Sequence, residues 1–204
     1  CSSDLAGKTI MTGLLLKELI MRGIVERILI ITPGGLTKQW QEDEMGVKFN
    51  IPFTLVNRSL FTADPNIFRT ANKIVTSIDF ISREDVLSVV SNTSWDMVIF
   101  DESHKLSAYE YGQKTYKSKR YEAAYVISQQ CEHMLLLTAT PHRGRTDTFK
   151  KLLQLLDEDI FATDDVATER VKELSKDGLN KFFIRRLKED MKDWNGNPLY
   201  KNRF

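Results

Sequence analysis

An α/β domain built on a mostly parallel sheet flanked by helices is what three features of the sequence predict. Short apolar, β-branched runs recur along the chain, segments of helical spacing separate them, and several runs end in polar residues suited to chemistry. The runs are Arg27–Thr32, Phe53–Val56, Lys73–Thr76, Asp96–Phe100 and His133–Thr138. Near-continuous apolarity over so few residues marks a strand buried on both faces, as in a parallel sheet. Between them, Ile10, Leu14 and Met21 predict an apolar stripe on a helix from about residue 8 to 22, and Val86, Val89 and Val90 predict a shorter helix.

Composition narrows the classes. With 204 residues, 42% hydrophobic and 28% charged, the chain can bury a substantial core and does not resemble a disordered polymer. Lys and Arg number 29 against 28 Asp and Glu, a formal charge of +1, so any contact with nucleic acid must be local. Cys1 and Cys131 fit no metal-ligand spacing. A reduced compartment accounts for them, so the expected location is intracellular: cytoplasmic in a prokaryote, nuclear in a eukaryote. No apolar run approaches the roughly 20 residues that cross a bilayer, and no membrane partner is expected. The start at Cys1, directly against a phosphate-loop-like sequence, reads as that of a fragment.

From Ser107 to Arg120 the apolar pattern lapses, and the segment carries Lys114, Lys117, Lys119 and Arg120 among three tyrosines. It reads as an exposed, mobile insertion. The plain interpretation is a solvated loop; interleaved Lys and Tyr would also suit a contact to DNA phosphates. Helical spacing resumes in Thr148–Leu156, and a basic helix is expected over Asn180–Lys192, with Arg185, Arg186 and Lys188, before turn chemistry at Asn195–Pro198. The expected organisation is therefore a nucleotide-binding lobe over 1–145 and a helical C-terminal appendage over 146–204.

Three motifs carry chemistry. Ala6-Gly7-Lys8-Thr9, followed at once by a helix, is the second half of a phosphate-binding loop. Backbone N–H groups at the helix start can cradle phosphate oxygens, Lys8 can reach the β and γ phosphates of ATP, and the Thr9 hydroxyl can ligate Mg²⁺. The full pattern wants Gly where Ser2 stands, which leaves a plain helix start as the alternative. Asp101-Glu102-Ser103-His104 follows a buried strand and sets two carboxylates beyond its carboxyl end, where α/β sheets bind ligands. Asp101 can hold Mg²⁺ and Glu102 can orient and deprotonate an attacking water. Leu135–Leu137 then runs into Thr138-Ala139-Thr140-Pro141. Each alone could be a helix cap, a solvated turn or a strand stop; their order in one chain makes coincidence a poor account.

In that order, with Thr32-Pro33, Trp40 and Thr76-Ser77 between them, the motifs resemble motifs I, Ia, Ib, II and III of superfamily 2 helicases. The stretch Ile30–Trp40 and the segment Phe183–Asp190 are similar to the Snf2 branch. The resemblance covers about residues 5 to 192 and implies a RecA-like P-loop domain, the first motor lobe of a DNA-dependent ATPase. It implies that Lys8 and Thr9 hold ATP and Mg²⁺, and that Asp101 and Glu102 carry hydrolysis. Thr32, Pro33, Thr76 and Ser77 would line a track for double-stranded DNA. Thr138 and Thr140 would couple nucleotide state to lobe movement, with His104 relaying between the two sites. A second RecA-like lobe of the same full-length chain is the implied partner, with protein partners possible through other domains. Related motors usually have Gly where Leu5 stands, so a degenerate binding module is one alternative and an RNA-directed helicase lobe the other.

Overall fold

The computed structural model describes residues 6–111, 114–139 and 146–156. The chain divides into two compact units, Cys1–Asp159 and Ile160–Phe204, and every described residue belongs to the first. Ser2, Leu5, Thr140, Pro141 and the expected basic helix with its Phe183–Asp190 segment lie outside the described residues.

All five expected strands are present: β1 (Ile28–Thr32), β2 (Thr54–Leu55), β3 (Lys73–Ser77), β4 (Trp95–Phe100) and, last in the chain, a strand at Cys131–Leu136 numbered β7. They form one parallel sheet in the order β2-β3-β1-β4-β7. The continuous apolar runs have a direct cause, because both faces are covered. Leu29, Ile31, Ile74, Val98 and Phe100 point into one core cluster. Ile28, Ile30, Val75, Met97 and Ile99 point into the other, as the two-residue period of a strand requires. The first face carries short helices α2 (Arg58–Ala63), α3 (Ile67–Thr70), α4 (Ile78–Ile81) and α5 (Glu84–Val90), then α6 (Lys119–Ser128) and α7 (Thr146–Leu156). The second carries α1 (Ala6–Met21) and a π-helix over Gln39–Lys48. No helix among the described residues is long and apolar enough to cross a membrane.

Two sequence expectations need correction. The stripe of Ile10, Leu14 and Met21 faces outward, at 43%, 59% and 77% exposure. The buried face of α1 runs instead through Thr9, Thr12 and Leu16, with Gly13 between them, because it lies against the π-helix, whose Phe49 cap needs room. The segment after Ser107, expected as a loop, holds a two-stranded antiparallel hairpin, β5 (Ala108–Tyr111) and β6 (Lys114–Lys117). Lys119 and Arg120 are not part of it; they open α6, which Ser118 caps by accepting from the Tyr121 N–H at 3.2 Å. The first-face cluster also takes Leu152 and Leu155 of α7, which packs against β5 and α6.

A Cβ at residue 13 would stand 2.0–2.4 Å from three ring atoms of Phe49. Gly13→Ala is therefore expected to destabilise the protein by roughly 1–3 kcal/mol through overpacking. That outweighs the ~1 kcal/mol that alanine gains over glycine within a helix. Denaturant unfolding of the two proteins measures it, and an unchanged or raised midpoint would show that the ring moves aside at little cost.

Candidate nucleotide site

Strand order decides where the chemistry gathers. From β1 the chain turns to the β2–β3 side, and from β4 it turns to the β7 side, so a crevice opens beyond the carboxyl ends of β1 and β4. Asp101 and Glu102 occupy that end of β4, Thr32 and Pro33 that of β1, and Thr138 follows β7.

The loop after β4 is pinned on both sides. The Asp101 N–H donates to the Ile31 carbonyl at 2.8 Å, and the Ser103 N–H to the Leu137 carbonyl at 2.8 Å. Between them Glu102 adopts a left-handed conformation, φ 51° and ψ 45°. For a residue with a Cβ this costs about 1–2 kcal/mol, and it is held only because both neighbours are fixed. The turn directs the Glu102 carboxylate to two partners: Oε1 lies 3.6 Å from Lys8 Nζ, and Oε2 lies 3.0 Å from His104 Nδ1. Residues 8, 102 and 104, from two distant parts of the chain, thus meet at one carboxylate.

His104 Nδ1 is also 3.1 Å from the Thr138 hydroxyl. A carboxylate only accepts, so the tautomer that satisfies Glu102 carries its proton on Nδ1, shared between Glu102 and Thr138. The imidazole thereby ties the loop after β4 to the residue after β7. That contact spans 34 residues of sequence.

Asp101 is buried, and each carboxylate oxygen has a donor. Its Oδ1 accepts from the Glu102 N–H at 2.9 Å, and its Oδ2 from the indole N–H of Trp40 at 2.9 Å. Burial holds its carboxyl above the usual carboxylate range; the Trp40 and Glu102 donors and the Lys8 charge oppose that rise, while the Glu102 charge adds to it. The charged form is thus costly in the protein alone, which is the state a bound cation would relieve. In the sequence Trp40 stands only as a family marker. A lone Trp in the polar run Gln39–Lys48 could have signalled a buried anchor, but nothing local reveals that its N–H reaches residue 101.

At the start of α1 the Lys8 ammonium is shielded from solvent and makes no hydrogen bond among the described residues. A buried cation with unmet donors fits a site for phosphate oxygens. Thr9 is 3% exposed, beside Lys8 in the same helical turn. Lys8, Thr9, Asp101 and Glu102 therefore offer a donor set suited to magnesium and a triphosphate. Among the described residues a Cβ on Gly7 would meet nothing within 4 Å, so none of their packing demands a glycine there. Ala6 is the first residue of α1.

The expected track residues are placed differently from the catalytic set. Thr32 and Thr76 are 1% and 0% exposed, and their hydroxyls donate to the Pro33 and Val56 carbonyls. The Ser77 hydroxyl accepts from the Phe80 N–H and caps α4. These oxygens are occupied within the fold. Pro33 precedes the open turn of Gly34 and Gly35, which with Lys38, Asn57, Arg58 and Ser77 lines a cleft of about 450 Å³ beside the ends of β1 and β3.

Comparison with known proteins agrees with the geometry. The SNF2-related domain matches residues 5–194. An uncharacterized ATP-dependent helicase, YqhH of Bacillus subtilis (strain 168), is 34% identical over 194 residues, which is 90% of this chain and 32% of that protein. The RNA polymerase-associated protein RapA of Yersinia enterocolitica is 37% identical over 164 residues, 76% of this chain and 16% of that protein. The chain thus spans about a third of one relative's length and about a sixth of the other's. Among solved structures, the genome packaging NTPase B204 from Sulfolobus turreted icosahedral virus 2, in complex with ATP-gammaS, covers 82% of this chain at 10% identity with a TM-score of 0.41, too loose a likeness to say more. With Lys8, Asp101, Glu102 and His104 gathered at one end of a parallel sheet and the match running through all of them, the chain belongs to the SNF2-related domain family.

Proposed function

We propose that this chain is the ATP-binding lobe of a DNA-dependent ATPase that moves along double-stranded DNA. The observation that carries the reading is the meeting of the Lys8 ammonium, without a hydrogen bond, with the Glu102 carboxylate beside the buried Asp101. Lys8 binds phosphate oxygens. Thr9 and Asp101 hold Mg²⁺, which when bound supplies positive charge to the transferring phosphoryl group. Glu102 accepts the proton of the attacking water, and His104 fixes the orientation of that carboxylate. The loop at Pro33–Thr37 and the α4 start at Ser77 offer backbone N–H groups to a phosphate backbone, which binds without reading sequence.

Family membership supports the ATPase, and duplex DNA as the stimulating polymer rests on the resemblance of Ile30–Trp40 to Snf2-type motors. In such motors the arginines that complete the site belong to a second lobe. These 204 residues alone are therefore expected to turn ATP over poorly. The test compares ATP hydrolysis by the full-length protein with no polymer, duplex DNA, single-stranded DNA or RNA, using Lys8→Ala as control, and by the 204-residue chain alone. Stimulation by duplex DNA, abolished in Lys8→Ala, is the expected result. Stronger stimulation by RNA would favour an RNA-directed motor. Nucleotide binding indistinguishable between wild type and Lys8→Ala would leave a binding module, and robust DNA-stimulated turnover by the 204-residue chain would refute the need for a second lobe.

A further inference from the structure

The β5–β6 hairpin leaves the fold immediately after His104, and nothing in the nucleotide site uses it. It is firmly rooted. The Ser118 N–H closes its base on the Ser107 carbonyl at 3.0 Å, Ala108 is fully buried in the first-face core, and Lys117 Nζ lies 5.2 Å from the Tyr125 ring centre. An isolated two-stranded hairpin is marginal in water, so this anchoring is what presents it as a formed element. Its register pairs Ala108 with Lys117 and Tyr109 with Tyr116. Alternation therefore turns the tyrosine pair away from the face that buries Ala108. The two rings stack at 5.4 Å with an interplanar angle of 16°, and they remain 40% and 46% exposed.

The charge is as local as the sequence demanded. Residues 107–120 hold four basic side chains against Glu110, a net +3 on a chain whose total is +1. At the hairpin root a cleft of about 720 Å³ is lined by Arg83, Lys105, Ser107, Ser118 and Lys119, among others. Of the three acids that line it, Asp79 is engaged by Arg120 at 2.7 Å and Asp85 by Arg58 at 2.6 Å, which leaves Glu84 against Arg83, Lys105 and Lys119. Arg83, Lys105 and Lys119 make no ion pair among the described residues. The cleft adjoins α4, which begins at the Ser77 edge.

We infer that the hairpin and the cleft at its root form a second nucleic-acid contact of this lobe, continuing the edge formed by Pro33–Thr37 and Ser77. Arg83, Lys105 and Lys119 neutralise backbone phosphates, and the Tyr109–Tyr116 face lies against sugars or bases. The reasons are physical. A positive local field on a near-neutral chain selects a polyanion, each neutralised phosphate releases counterion, and exposed stacked tyrosines give a flat, sequence-tolerant platform. An apolar protein partner would gain little from such a rim.

The inference rests on the proposed nucleic-acid-dependent function, and the test separates the two. Binding of the full-length protein to labelled duplex DNA, single-stranded DNA and RNA is measured over a salt series. Three variants are compared with wild type: Arg83→Ala/Lys105→Ala/Lys119→Ala, the charge-keeping Arg83→Lys/Lys105→Arg/Lys119→Arg, and Tyr109→Ala/Tyr116→Ala. Removing three phosphate contacts should reduce the slope of log K against log salt by about 2–3 for duplex, while the charge-keeping variant retains it. The tyrosine variant should weaken binding roughly ten-fold with the slope unchanged. A merely structural role for the basic residues would not be rescued by charge, so a slope lost in both triple variants overturns the inference. So does a slope identical to wild type in the alanine triple, which would leave the hairpin as a surface for a protein. Wild type that binds none of the three polymers overturns the functional reading and this inference with it. The polymer whose slope changes identifies the strand the hairpin holds.

Discussion

Glu102→Gln in the full-length protein is expected to lower ATP turnover by about 10²–10⁴-fold, the range removed when a positioned general base is lost, without abolishing nucleotide binding. Glutamine keeps the size of the side chain and an oxygen facing His104 Nδ1, so the contact at 3.0 Å survives in form. It loses the ability to take a proton from water. It also removes the anion 3.6 Å from Lys8, leaving that ammonium more available to phosphate. Turnover and binding should therefore separate, with binding equal or tighter. The split is read by steady-state hydrolysis beside titration of a fluorescent ATP analogue. Lys8→Ala should lose both together. A Glu102→Gln protein that turns over within a few-fold of wild type would remove Glu102 from the chemistry and leave it as the ion-pair partner of Lys8. Because residue 102 sits at φ 51°, a Gly substitution is uninformative: it would relieve backbone strain as it deletes the carboxylate.

Much of this arrangement was legible because parallel-sheet strands advertise themselves. Val98, Ile99 and Phe100 are apolar without a gap since each neighbour faces a different covered layer, and Asp101 breaks the run where the strand ends. The short-range rules did less well where burial alternates with small or polar residues. Thr9, Thr12 and Gly13 form the inward face of α1, a face that hydropathy ranks below Ile10 and Leu14. The hairpin has polar residues on both faces, and Ala108 is its one buried residue among those described. Its pairing is therefore invisible to a search for apolar alternation. Thr32 and Thr76 look like free hydroxyls at strand ends and are in fact internal hydrogen-bond donors. The π-helix is least legible of all, since Gln39–Lys48 is mostly polar and its buried members are Trp40, Glu44 and Met45.

That helix supplies the second large effect. Trp40→Phe is expected to destabilise the protein by about 2–4 kcal/mol at neutral pH, combining a lost hydrogen bond to a charged group, about 1.5–3 kcal/mol, with the space left by the smaller ring. The loss should depend on pH, and its sign follows from Asp101. Burial raises the Asp101 carboxyl above the usual carboxylate range. The folded state thus holds that proton more tightly than the unfolded chain, and the group's contribution to stability falls as pH rises through that interval. The Trp40 N–H acts against this fall by stabilising the ionised form. Without it the carboxyl rises further, so the gap between Trp40→Phe and wild type should be wide at neutral pH and narrow on acidification, as the folded carboxyl takes up its proton. Denaturant midpoints across that range measure it. An equal gap at both ends would mean that the indole serves only as volume. A gap that closes on acidification would make Trp40 a positioning residue for the carboxylate at the end of β4, carried there by the helix that begins just after the Pro33–Thr37 loop. The same indole would then join the edge proposed for nucleic acid to the carboxylate proposed for the metal, through one buried hydrogen bond of 2.9 Å.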